Sequence, residues 1–148
     1  MYQMTFNHAD ADDLTQEVFL RAARGLPDFD GRAEFATWLH RIALNCANSF
    51  LVRRARRATA SLEEAPEPVA SGVERPDRQA AGAETDARIR QALERLPVKL
   101  RAAIVLTVLQ DVALPEAARI ERCAVPTMYW RVHEARRRLK GLLADMWP

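Results

Sequence analysis

The chain has 148 residues, 49% of them apolar and 28% charged, and a formal net charge of only +2. That apolar share suits a folded protein and excludes wholesale disorder, while near-neutrality by itself selects no class of partner. No apolar run approaches the ~18–20 residues that cross a bilayer, and no basic start leads into an apolar core, so the expected location is cytoplasmic.

A first helix is predicted from Asp10, where Leu14, Val18 and the step from Leu20 to Ala22 recur every three or four residues and Asp12 or Asp13 can cap the start. Gly25 and Pro27 stop it. A second helix opens between Arg32 and Glu34 and carries Phe35, Leu39, Ile42, Cys46 and Phe50 on one stripe, which is expected to be core. It should run on into a cationic block, Arg53, Arg54, Arg56 and Arg57. Between about Ala58 and Ala83 large apolar residues nearly vanish, and Pro66, Pro68, Gly72, Pro76 and Gly82 interrupt any period. So little apolar surface cannot offset the entropy of ordering, so a flexible, acidic linker containing Glu63, Glu64, Glu67, Glu74 and Asp77 is expected.

Periodicity returns at Asp86 with Ile89, Leu93 and Leu96 and ends at Pro97. The apolar run from Leu100 to Leu109 has the length of a buried helix, and two segments opened by proline follow, Pro115 to about Arg122 and Pro126 or Thr127 to about Ala144. In the last, Met128, Val132, Ala135, Leu139 and Leu142 share a packing face, with Trp130, Glu134 and Arg137 opposite. The expected fold is all-α: helical domains over 1–57 and 84–148, joined by a slack linker over 58–83.

A short helix, a tight connection from Cys123 to Val125 and a longer cationic helix fit a helix-turn-helix, whose second helix enters the major groove by its N-terminal residues. Thr127, Tyr129, Trp130, Arg131 and Glu134 are the candidates for groove contact, and Arg136, Arg137, Arg138 and Lys140 for phosphate attraction. The competing reading is a solvated face whose cations favour the helix dipole. In the first half, rings and cations interleave: Trp38 and His40 are candidates to face nucleic acid beside Arg41, Asn45, Asn48, Arg53 and Arg54, since aromatic rings stack on unpaired bases while cations hold the backbone. Cys46 and Cys123 read as free thiols of a reducing compartment. His8, His40 and His133 are dispersed, and no phosphate loop or nucleophile motif occurs, so neither enzyme, metal nor cofactor is expected.

Two stretches also resemble a known family. DADDLTQEVFLR from Asp10 to Arg21, continued by FATWLHRIALN from Phe35 to Asn45, is similar to region two of the group IV, extracytoplasmic-function sigma factors. ALERLP from Ala92 to Pro97 and the segment from Val112 to Leu139, ending in RVHEARRRL, look like region four. The resemblance implies a factor that joins RNA polymerase core, directs promoter recognition and initiation, and is held by an anti-sigma partner. It places Asp13, Gln16 and Glu17 against the polymerase clamp. Trp38, Arg41, Asn45, Arg53 and Arg54 would then face the opened minus-ten element, and Thr127 and Arg131 the minus-thirty-five duplex.

The chain departs from that pattern in two places. Nine residues precede Asp10, where the family usually has another helix, so a shortened front is expected, with Leu14, Val18 and Phe19 left without a packing partner. Tyr129 and Trp130 stand where small or basic residues are common, and rings cannot supply arginine's bidentate bonds to guanine. Two alternatives therefore stay open: a sigma-like protein that binds polymerase or a regulator without opening promoters, and an independent helix-turn-helix regulator.

Overall fold

The computed structural model describes residues 1–60 and 80–144, with side chains over 1–58 and 84–144. The elements are α1 (Tyr2–Thr5), α2 (His8–Gly25), a 3-10 turn (Leu26–Asp28), α3 (Phe35–Ala60), α4 (Ala80–Glu94), α5 (Val98–Ile104) running into a π-helical turn (Val105–Leu109), α6 (Leu114–Ile120) and α7 (Val125–Leu142). No strand occurs among the described residues. Most of the expected linker lies outside them, and its margins are helical, since α3 runs to Ala60 and α4 starts at Ala80.

The first cap is not Asp12 or Asp13. Asn7, extended at φ −125°, accepts the Asp10 N–H through its side-chain oxygen at 3.0 Å, so α2 begins earlier and carries Asp10 in its first turn. Helices α2 and α3 run antiparallel, as the pairs Asp10–Arg54 at one end and Gly25–Trp38 at the other show. Leu14 and Val18 are not left bare: both are buried against Cys46, flanked by Leu39, Ile42 and Phe50. Phe19 alone of the three remains open, 63% exposed. Phe35, expected in the core, is half exposed at the start of α3, where its ring meets those of Phe29 and Trp38.

In the second half the core gathers Leu93, Leu96, Leu100, Leu106, Ile120, Met128 and Val132. Leu106 and Met128 are its largest fully enclosed side chains. The Leu100 to Leu109 run is buried as expected only as far as Leu106, and Val108 and Leu109 emerge where the π turn ends. Arg101 is also buried, spreading its guanidinium over the carbonyls of Leu93, Glu94 and Leu96 that end α4. Glu134 was expected on the free face of α7 but is buried.

The two halves are packed on one another, an arrangement no local pattern specified. Met4, Leu44 and Ala47 belong to the same apolar cluster as the C-terminal core. Arg101 Nη1 donates to the Met4 carbonyl at 2.6 Å, Arg90 Nη1 to the Tyr2 hydroxyl at 3.1 Å, and Gln110 Nε2 to Gln3 Oε1 at 2.8 Å.

Candidate nucleic-acid interface

Helix α3 presents three faces, because side chains advance about 100° per residue. Trp38, Arg41 and Asn45, at spacings of three and four, share one of them. Trp38 is half-buried in an aromatic wall, its ring centroid 5.2 Å from Phe29 and 5.5 Å from Phe35. Gly25 makes room for that wall: a Cβ there would lie 3.3 Å from the indole. Phe29 completes the wall and was missed in the sequence, where its only signal was an aromatic just after the Pro27 turn. Such rings offer flat apolar surface to an unstacked base.

Two other candidates on α3, Arg54 and His40, point elsewhere. Arg54 lies roughly 160° around the helix from Trp38 and pairs with Asp10 at 3.0 Å. His40 is likewise turned from the Trp38 face, and half-buried. Arg53 is exposed and lines a shallow groove with Asp13, Glu17, Arg21, Cys46 and Phe50. Burial pushes the Cys46 thiol up, against the pull of Arg21 and Arg53, so it is an unreactive core group. Asn45 is open to solvent. Arg41 is not free, since its Nη2 donates to the Arg119 carbonyl at the end of α6, 3.0 Å away.

On α2, Asp13 and Gln16 are exposed, and Leu20, 53% exposed, continues their face at the next turn. Glu17 is taken by Arg21 at 2.6 Å. The face thus mixes acid, amide and apolar groups, as a docking surface needs, with Phe19 beside it.

Helices α6 and α7 form the expected helix-turn-helix. The turn reverses at Arg122, which takes a left-handed φ of 50°, and closes with the Cys123 N–H donating to the Ala118 carbonyl at 3.0 Å. Thr127, Tyr129 and Trp130 all face solvent, the two rings 58% and 60% exposed. The cations are distributed differently from the expectation. Arg131 turns inward, 17% exposed, and donates to Glu121 at 3.0 Å. That carboxylate, 2% exposed, also receives Lys99 at 2.9 Å and, on its other oxygen, the Asn48 amide at 3.5 Å. Arg137 and Arg138 fold back onto Glu134 at 2.8 and 2.7 Å. Hydrogen bonds from these two arginines hold the Glu134 carboxyl down at about 2. Among the described residues Arg136 and Lys140 make no ion pair, which leaves them as the open cations of the helix. Nothing local in the sequence marks Glu121 as a hub, since Lys99, Asn48 and Arg131 reach it from three other helices.

Known proteins share this layout. Residues 1–57 match the family described as Sigma-70 region 2, and residues 86–139 match Sigma-70, region 4. The chain is 33% identical over 144 residues to the RNA polymerase sigma-H factor of Pseudomonas aeruginosa, covering 93% of this chain and 75% of that one. It is 36% identical over 134 residues to the ECF RNA polymerase sigma-E factor of Escherichia coli K12, covering 86% and 70%. Among solved structures, it is similar to the sigma factor RpoE of Bartonella quintana in complex with the anti-sigma factor NepR, at a TM-score of 0.73 and 27% identity over 97% of this chain and 86% of that one. CnrH in complex with the cytosolic domain of CnrY aligns at a TM-score of 0.67 and 31% identity, over 94% and 74%. With region two and region four in order, and relatives matched over most of their length, the chain belongs to the extracytoplasmic-function group of the sigma-70 family of transcription initiation factors.

Proposed function

We propose that the chain loads onto RNA polymerase core through α2 and opens promoters through α3, with no catalytic group of its own and in the cytoplasm. Asp13, Gln16 and Leu20 form the docking face. The observation that carries the reading is the aromatic wall of Phe29, Phe35 and Trp38 beside the exposed Asn45. Extruding a base costs a few kcal/mol, and stacking on a ring returns about 1–3 kcal/mol per base, so such a wall can hold one strand open only with cations on its backbone. Arg53 supplies one, and Arg41 another once it leaves Arg119. Helix α7 then meets the upstream duplex through Thr127, Tyr129, Trp130 and Arg136, with Lys140 on phosphate. An anti-sigma partner, as bound to RpoE and CnrH, fits the exposed apolar groups of both halves.

The test is core-dependent transcription from a promoter library. Enrichment of defined start sites is expected, together with permanganate-reactive thymines near them that disappear with Trp38→Ala. Tight core binding without any melted thymine would instead favour a sigma-like interaction protein. The pairing of Arg131, Arg137 and Arg138 with carboxylates, next to the exposed Tyr129 and Trp130, favours that second reading.

A further inference from the structure

We propose, resting on the promoter-opening reading above, that Tyr129 and Trp130 set the base preference of α7. The helix selects its upstream duplex by the methyl groups of thymine and not by the hydrogen-bonding edge of guanine.

Guanine is told apart in the major groove by two neighbouring acceptors, which the forked donors of arginine or a lysine satisfy. The N-terminal half of α7 offers no such fork. Its solvent pole, opposite the buried Met128, Val132 and Ala135, carries Pro126, Tyr129, Trp130 and His133. The one arginine of that half, Arg131, is turned inward onto Glu121, a buried carboxylate it can leave only by stripping a partner from a buried charge. Arg137 spends its fork on Glu134 through Nε and Nη2, and Arg138 gives Nε to the same carboxylate. Arg136 and Lys140 are open, but they lie about 10 and about 16 Å along the axis from Tyr129, in a groove about 12 Å wide, and so reach phosphate at its edge.

What the groove meets first is therefore apolar surface. Thymine alone among the four bases presents an apolar group there, its methyl, and apolar side chains recognise it by contact. Tyr129 and Trp130 are adjacent and stand more than half exposed, and Thr127, open in the first turn, adds a methyl of its own. Large rings bring much contact area, and their polar ends, a hydroxyl and an indole N–H, can bond phosphate or a base acceptor without forming the paired bonds that guanine requires. His133, lining a hollow beside α7 with Thr107 and Asp111, can likewise give a guanine one bond but not two.

The experiment uses the full chain on polymerase core. A promoter is selected from a library randomised in the upstream element, then remade with its minus-ten region already unpaired, so that strand opening plays no part in the readout. Upstream thymines are replaced by deoxyuridine, which removes only the methyl, and upstream guanines by deazaguanine, which lacks the N7 acceptor. Affinity should fall about fourfold for each contacted methyl, the weight of one buried methyl group, and change less than about twofold with deazaguanine. Tyr129→Ala combined with Trp130→Ala should abolish the preference for thymine over deoxyuridine, and the fold should survive because both side chains are exposed. Equal affinity for the thymine and deoxyuridine promoters would overturn the assignment while leaving the promoter-opening reading intact. So would a larger loss with deazaguanine, or a methyl preference that persists in the double variant. Weakened core binding in that variant, with no methyl dependence in the parent, would mark the rings as a protein contact and overturn it as well. If no promoter is enriched at all, both readings fall together.

Discussion

Replacing Arg101 by methionine isolates what the buried guanidinium contributes. The side chain is 7% exposed and makes three short bonds, Nε to the Leu93 carbonyl at 3.0 Å, Nη1 to Met4 at 2.6 Å and Nη2 to Glu94 at 2.6 Å, with Leu96 more distant at 3.5 Å. Burial pulls its pKa down, against the opposing influence of Glu94, so the charge is held at some cost. Hydrogen bonds to a charged group contribute about 1.5–3 kcal/mol each, so three give an upper range of about 4.5–9 kcal/mol. A methionine of similar length returns about 1.5–3 kcal/mol by burying an apolar side chain, and water can reach the partly buried Glu94 carbonyl. The expected net loss is about 3 kcal/mol, a large share of the ~5–15 kcal/mol that stabilises an ordinary domain. Urea unfolding followed by circular dichroism should show the midpoint falling with an unchanged slope. Arg101→Lys should fall between the two, since a single ammonium cannot fork across several carbonyls. A loss under about 1 kcal/mol for Arg101→Met would refute the reasoning, because the carbonyls would then have found other partners.

Three further outcomes are expected. Glu134 has a folded pKa of about 2, below the ordinary unfolded value of ~4.3, so its contribution to stability is complete above about pH 4.5 and fades as pH falls towards 2. Thermal melts across that window should show a shallower acid loss for Glu134→Gln than for the parent, and parallel curves would count against the Arg137 and Arg138 clamp. On α7, Arg136→Ala should weaken upstream-duplex binding and reduce the slope of log affinity against log salt by about 1. Arg131→Ala should act mainly on stability, by about 1–3 kcal/mol, because its partner Glu121 is buried. Reversal of those two patterns in filter binding and melting experiments would show that Arg131, not Arg136, meets DNA.

The second half of the chain was the more legible. Pro126 near the start of α7, the Met128, Val132 and Ala135 stripe and the short connection before it are local signals, and the helix-turn-helix follows from them. The aromatic candidate Trp38 was also readable, since its neighbours along α3 fix which face it shares. Phe29 was not, because its part depends on where the turn after α2 places a ring beside a helix that starts several residues later.

What the sequence determined by itself is the set of helices after α1, the order of the two modules and the residue types offered to nucleic acid, all properties of spacing and of chemistry within one or two turns. Only the tertiary structure decided which of those groups are free. Arg41 and Arg131 look equivalent to their neighbours in the sequence, yet the fold brings a carbonyl to one and Glu121 to the other, whereas Arg137 and Arg138 meet Glu134 within one turn of the same helix. The reason is physical: helical periodicity fixes the direction of a side chain, but the carbonyl and carboxylate that occupy Arg41 and Arg131 come from other helices or their ends, through contacts made only when the helices pack.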